Sequence, residues 1–123
     1  MSLAEYIRRC KWDLAIASAE EGHRYDLPDW KLHVIKAPKD RWFADPFILD
    51  VTDEHIYVLV EELEHTTDKG RIAKLTIDRS TYDVLEVKII LELPEHLSFP
   101  AIYRDGNDIY ISGELGLRQK YNI

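Results

Sequence analysis

The chain has 123 residues, of which 46% are hydrophobic, so it is long enough for one domain with a real core and too apolar to be disordered. Its formal net charge is −7, with eight basic against seven acidic residues in 1–44 and eight against sixteen in 45–123. Because an acidic body repels phosphate backbones and anionic membranes, we expect neither nucleic acid nor membrane as a partner.

The cysteine content and the hydropathy of the chain indicate its cellular compartment. The single cysteine, Cys10, excludes an internal disulfide and a cysteine-based zinc site, and it fits a reducing environment. No stretch is long and apolar enough to span a bilayer, and the first residues lack the charged-then-apolar order of a signal peptide. We therefore expect a cytoplasmic protein, and no pattern in the sequence calls for a cofactor.

The first third of the chain contains two strand-like segments. Residues 12–17 alternate large apolar with small or polar side chains, which indicates a strand, and residues 30–35 do the same. Between them, residues 20–23 are typical of a loop and residues 27–29 of a turn, and Ala37-Pro38-Lys39-Asp40 ends the second strand.

The middle of the chain predicts a four-stranded antiparallel sheet. Residues 55–61 are apolar on both faces, as in a central strand, whereas 71–77 alternate like a half-buried strand. Residues 84–93 alternate again, with Val87, Ile89 and Leu91 expected on one face. The predicted strands are 46–49, 55–61, 71–77 and 84–93, with turn residues at 52–54, 68–70 and 78–81.

This unit begins again near residue 98. Residues 98–103 match 44–49, and residues 109–114 match 56–61, with Pro100 lying 54 positions after Pro46. A repeat near fifty residues with four strands per unit is typical of a β-propeller blade. We therefore predict an all-β propeller architecture, with an ordinary β-sandwich as the alternative.

The recurring residues also carry a family resemblance. The elements that carry it are Phe43-Ala44-Asp45-Pro46-Phe47, Glu61-Glu62, Lys69-Gly70-Arg71-Ile72, His96-Leu97-Ser98-Phe99-Pro100, and Ile109-Tyr110 with Glu114. Together they resemble the propeller domain at the N-terminal end of plant glucosamine inositolphosphorylceramide transferase and its bacterial relatives, which sit among polysaccharide-biosynthesis proteins. That domain is similar to the five-bladed propellers of family 43 glycoside hydrolases. Phe99 and Gly113 depart from the family pattern, which favours Tyr and Pro there.

The resemblance implies a domain layout. A five-bladed propeller of such units needs roughly 250 residues or more, so we expect one partial propeller over 1–123 that is incomplete in this chain. The expected parts are N-terminal strands at 12–43, a first full blade at 44–97 and the start of the next blade at 98–123.

Asp45 is the main candidate for chemistry. The resemblance implies a general base, because in family 43 hydrolases an Asp at the start of the first innermost strand points into the central channel. Glycoside hydrolysis also needs a second carboxylic acid, and Phe99 fills the matching place in the second unit. From the residues alone, an Asp before Pro46 equally suits a turn cap in extended geometry.

Further candidates would bind substrate. Glu61 and Glu114 end equivalent strands, so they form either a polar lining for sugar hydroxyls or two exposed strand ends, whereas Glu62 is expected to be solvated. Trp42, beside Asp45, is the candidate for stacking on a sugar ring, with Trp12 and Trp30 assigned to the core.

Two histidine clusters offer weaker signals. His96 and Ser98, further candidates for substrate binding, share a face of an extended segment. They lack a third orienting acid, so bonding to backbone is favoured over a catalytic Ser–His pair. His65 with Glu64 and Asp68 has no recognised ligand spacing, and no metal is expected.

These expectations combine into a glycan-binding or glycan-processing module for polysaccharide biosynthesis or modification, catalytically incomplete as this chain. A family 43 type hydrolase and a non-catalytic interaction scaffold are the alternatives. We also expect a homo-oligomer, because an incomplete propeller leaves an apolar sheet face uncovered. The residues expected on that bare face are Val58, Val60, Ile72, Leu75, Ile89 and Leu91.

Overall fold

The computed structural model describes residues 12–18, 32–65, 69–94, 100–112 and 118–121, and for 118–121 it describes the backbone only. Over these residues every regular element is a β-strand, so none of them is a helix that could cross a membrane. The predicted all-β, antiparallel class is confirmed. The strands are β1 (Leu14–Ile16), β2 (His33–Ile35), β3 (Arg41–Val51), β4 (His55–Glu64), β5 (Lys69–Asp78), β6 (Val84–Leu91), β7 (Ala101–Asp105), β8 (Asp108–Ser112) and β9 (Arg118–Tyr121).

The central sheet has the strand order β3-β4-β5-β6, with every neighbouring pair antiparallel. The predicted four-stranded sheet is therefore confirmed. Strand β4 lies between two neighbours and is buried over most of its length, as its two apolar faces predicted. Lys69 and Gly70, predicted as turn residues, instead open β5.

Smaller sheets cover both faces of the central sheet. On one face, Leu14 of β1 and Ile35 of β2 pack into a cluster with Phe43, Val58 and Leu75. On the other face, β7 and β8 contribute to a second cluster. That cluster contains Leu49, Leu59, Ile72, Leu91 and Ile111, with Ile102 and Ile109 packed against it.

The expectation of a bare apolar face is therefore wrong. Leu75, Val60 and Ile72 are fully buried, and Val58 and Leu91 are nearly so, all within one chain. The two flanking sheets supply the cover that a neighbouring copy was expected to provide. The homo-oligomer stays a prediction, but it loses this argument.

A β-bulge changes the faces of β6. Ile72 pairs with Leu91 and Ala73 pairs with Ile89, so Ile90 is an extra residue on β6. As a result Ile89 packs into the first cluster and Leu91 into the second. The prediction that Val87, Ile89 and Leu91 share one face is wrong for this reason.

The two matched segments fold alike. Strands β3 and β4 form an antiparallel hairpin, and so do β7 and β8, which join at Gly106 and Asn107. Gly106 has φ +59°, which suits the first central position of a two-residue hairpin loop. The propeller assignment stays a prediction, because stacked antiparallel sheets also fit a sandwich.

Candidate functional site

A β-bulge on β3 shapes the candidate site. Ala44 pairs with Glu61 and Phe47 pairs with Leu59, so Asp45 and Pro46 stand together opposite one residue of β4. Asp45 has φ +50°, in the left-handed region, so the extended geometry expected for a residue before proline is wrong. Pro46 has no N–H to contribute to the ladder, which suits it to a bulge on an edge strand.

A cavity of about 700 Å³ lies beside this bulge. Three predicted site residues, Trp42, Asp45 and Glu61, line it together. The segment leading into β1 forms another wall, and it is held there by the bond that Phe43 N donates to Trp12 O, at 3.2 Å. The complete lining is Trp12, Asp13, Leu14, Ala15, Trp42, Phe43, Ala44, Asp45, Pro46 and Glu61.

The two tryptophans exchange their expected roles. Trp42 is only 8% exposed, and its ring meets that of His65 edge-on with 6.0 Å between centroids. Trp12, which the sequence assigned to the core, is 56% exposed and lines the cavity. The sequence does not indicate this exposure, because the alternation of residues 12–17 places position 12 on the apolar face.

Three carboxylates, those of Asp13, Asp45 and Glu61, line this mostly apolar cavity. Asp45 is half-buried, and its side chain makes no hydrogen bond or ion pair within the described ranges. Glu61 is 8% exposed and lies on β4 between Ala44 and Ile72. A carboxylate accepts hydrogen bonds at two oxygens, so the cavity offers acceptors to a ligand that carries hydroxyl groups.

Glu62 is buried rather than solvated, so that prediction is wrong. It is fully buried, and its Oε1 accepts hydrogen bonds from Arg71 Nη2 at 2.8 Å and Nε at 3.1 Å. Arg41 Nη1 donates a longer bond of 3.4 Å to the same oxygen. Strands β3 and β5, on either side of β4, each supply one of these arginines. Their positive charges neutralise the buried carboxylate of Glu62.

These ion pairs affect the arginines in turn. The hydrogen bond to Glu62 raises the pKa of Arg71 above its ordinary value, and burial opposes this. For Arg41, the hydrogen bond to Asp40 is the main cause of a raised pKa. The cluster ties β3, β4 and β5 together beside the strand positions that carry Trp42 and Glu61.

The remaining predicted residues are not placed here. His96, Ser98 and Glu114 lie outside the described residues, as does Trp30. His65 is described, and its Nε2 is buried without a hydrogen-bond partner. Asp68, the third member of its predicted cluster, lies outside the described residues. In the part of the chain that the structure describes, no group of three or more His, Cys, Asp or Glu side chains has a metal-binding arrangement.

Comparisons with protein-family models, with curated proteins and with solved structures found no match. The resemblance to glycan-processing propellers therefore stays a prediction, and the functional argument rests on the geometry of the site.

Proposed function

We propose that this chain binds carbohydrate in the cavity beside the Asp45–Pro46 bulge, which we name the bulge cavity. The observation that carries the proposal is the meeting of Asp45, Glu61 and the exposed Trp12 around one space of about 700 Å³. That volume lies within the range of small-molecule sites, which are mostly apolar with a few placed polar groups.

The chemistry of the lining matches a sugar. A sugar ring presents hydroxyl groups at its edge and C–H groups on its faces. The carboxylates of Asp45 and Glu61 accept hydrogen bonds from the hydroxyls. The ring of Trp12 offers an apolar face for the C–H groups. Trp42, at 8% exposure, forms part of the wall rather than a stacking platform.

The backbone at Asp45 supports the same proposal. A non-glycine residue with positive φ costs free energy, and such residues cluster at functional sites. Asp45 adopts this unfavourable conformation at a position where its half-buried side chain lines a cavity. Glycine adopts this conformation without that cost, so a side chain at this position has to contribute something besides the turn.

A hydrolase of the family 43 type is the second candidate, because three carboxylates line one cavity and glycoside hydrolysis requires a pair. We propose binding without turnover. The implied general base is Asp45, and Glu61 lies on the strand next to it rather than across the cavity from it. Asp13, on the wall formed by the segment that leads into β1, accepts a hydrogen bond from the N–H of Ala37 at 2.8 Å, which assigns it a structural role. We place the module in polysaccharide biosynthesis or modification, in the cytoplasm, and without a cofactor.

A glycan array followed by calorimetry tests the proposal. Asp45→Asn keeps a residue that tolerates positive φ but removes the charge, so affinity should fall about 10- to 100-fold with the fold intact. Trp12→Ala should weaken binding similarly. Asp53→Asn and Tyr103→Ala change exposed residues that do not line the cavity, and they should bind like the wild type.

The same assays separate the alternatives. Hydrolysis of nitrophenyl pentosides that disappears in Asp45→Asn would replace binding by catalysis as the function. An array without a single glycan hit would contradict carbohydrate binding and favour the interaction scaffold.

A further inference from the structure

A second cavity lies on the other side of β3. It has a volume of about 320 Å³ and opens where the central sheet meets the hairpin of β7 and β8. Its apolar floor is formed by Leu49 and Ile109, which belong to the second hydrophobic cluster. The described lining residues are Leu49, Asp50, Thr52, Tyr57, Lys74, Arg104 and Ile109.

Two cations line this small space. The Lys74 ammonium lies 5.6 Å from the centre of the Tyr57 ring, and the Arg104 guanidinium donates one hydrogen bond to Leu49 O. Among the described residues neither forms an ion pair with a carboxylate. Arg104 keeps most of its five N–H donors, and Lys74 keeps its three.

The charges around Lys74 and Arg104 give no structural reason for leaving these two cations without a carboxylate partner among the described residues. Lys74 sits directly opposite Lys88 on β6, and like charges in such cross-strand positions destabilise a sheet. Among the described lining residues the one carboxylate is that of Asp50, whose Oδ1 accepts a hydrogen bond from the N–H of Val51. In a chain with 23 acidic and 16 basic residues, carboxylate partners are plentiful, yet these two cations have none within the described ranges.

We propose that this cavity binds a small oxyanion, a phosphate or carboxylate group carried by a small ligand. Lys74 and Arg104 approach from the two sheets, so an anion between them is held by charge-assisted hydrogen bonds from both. The Tyr57 hydroxyl is a further donor at the wall. The apolar floor lowers the local dielectric, which strengthens these contacts.

The size and charge of the site limit the ligand. A volume of about 320 Å³ lies at the lower end of the range for ligand sites. The overall charge of −7 repels an extended polyanion such as a nucleic acid or a membrane surface. Both cavities are lined by parts of β3, but they share no lining residue. The proposal therefore does not rest on the proposed function.

The test is a titration of the full chain, followed by ¹H–¹⁵N NMR at constant ionic strength, with inorganic phosphate in one arm and glucuronate in the other. We expect saturable shifts at the backbone amides of 49–52, 74 and 104 in at least one arm, and the responding arm identifies the group. Shifts in neither arm, or shifts spread over the surface without saturation, would overturn the proposal.

A matched pair of variants sharpens the result. Lys74→Met and Lys88→Met each remove one positive charge from neighbouring positions of the same sheet face, but only Lys74 lines the cavity. Lys74→Met should weaken binding about 10- to 100-fold, and Lys88→Met by about twofold or less. Lys74→Arg should retain most of the affinity. Equal weakening by the two Met variants would show a diffuse surface potential and would refute a built site.

Discussion

Replacing Glu62 by Gln tests the buried ion-pair cluster. The substitution keeps the shape of the side chain and its Oε1 acceptor, but it removes the negative charge between Arg41 and Arg71. Glu62 is fully buried, so water cannot take over the interaction. We therefore expect a folded but less stable protein.

The magnitude follows from the geometry. Two short hydrogen bonds from Arg71, at 2.8 and 3.1 Å, keep their charged donor but lose the negative charge of their acceptor, whereas the 3.4 Å bond from Arg41 contributes little. Hydrogen bonds that involve a charged group contribute about 1.5–3 kcal/mol each, and we assign the wild-type bonds to the upper part of that range and those of the variant to the lower part. The expected loss is therefore about 1–3 kcal/mol.

Glu62→Ala should cost more, about 3 kcal/mol, because it also leaves two arginines without their buried partner. We expect the lower end of the usual range, since the Arg41 and Arg71 side chains are 25% and 21% exposed and reach solvent. Arg71 also retains Glu92 at 3.5 Å.

Urea unfolding followed by circular dichroism measures both losses, with thermal midpoints as a second readout. Glu86→Gln is the control, because Glu86 is exposed on β6 and should change stability by less than about 0.5 kcal/mol. If Glu62→Gln costs no more than Glu86→Gln, the cluster contributes nothing to stability and the reasoning fails.

Four further predictions follow from single positions. Asp45→Gly should be more stable to urea than Asp45→Ala by about 1 kcal/mol, since φ is +50° and glycine alone avoids the left-handed cost; equal stabilities would contradict the bulge geometry. Gly106→Ala should destabilise by about 1 kcal/mol through φ +59° alone, because an added Cβ meets no atom within 4 Å; an unchanged urea midpoint would refute this. Hydrogen bonds from the N–H groups of Thr81 and Ser80 hold the pKa of Asp78 below its ordinary value. Their contribution is present above about pH 4 and is lost as the pH falls through the folded pKa, so an acid titration should destabilise the wild type more than Asp78→Asn. Light scattering should show a homo-oligomer that Ile48→Lys converts to a monomer of 14.4 kDa, because Ile48 is 62% exposed on the edge strand β3; a wild-type monomer at all concentrations would refute self-association.

The central sheet could be predicted because its pattern and turn chemistry agree. Residues 55–61 are apolar on both faces, and only a strand with neighbours on both sides buries both. Asp78 ends its strand because its carboxylate accepts the N–H groups of the turn that follows. Such signals are local, so the sequence displays them directly.

The errors arise where one strand depends on another. The bulges at Asp45–Pro46 and at Ile90 each shift the alternation by one residue. Pro46 is a local signal for the first bulge, but nothing within β6 says where the second occurs. The pattern of β4 alone predicts Glu62 as a surface residue, and only the strand pairing brings Arg41 and Arg71 beside it. Register, rather than composition, decides these positions.

The candidate site divides in the same way. Asp45 and Glu61 could be predicted to lie on neighbouring strands, because the short turn at 52–54 joins β3 and β4 as a hairpin. Their closeness could not, because an unbroken register from the Val51–Ile56 pair would place Asp45 opposite Glu62, and two register shifts bring Glu61 beside it. The place of Trp12 could not be predicted either, because it depends on a contact between Trp12 O and Phe43 N across a long stretch of chain. Contacts of this kind follow from the packing of sheets and leave no periodic signal.

The two cavities lie on different faces of the central sheet and share strand β3. The bulge cavity is lined by Leu14 and Phe43 of the first cluster, and the smaller cavity is lined by Leu49 of the second. In a regular strand Phe43 and Leu49 would lie on one face, because they are six positions apart. The register shift at Asp45–Pro46 places them in different clusters, so this bulge lets one strand form a wall of both cavities.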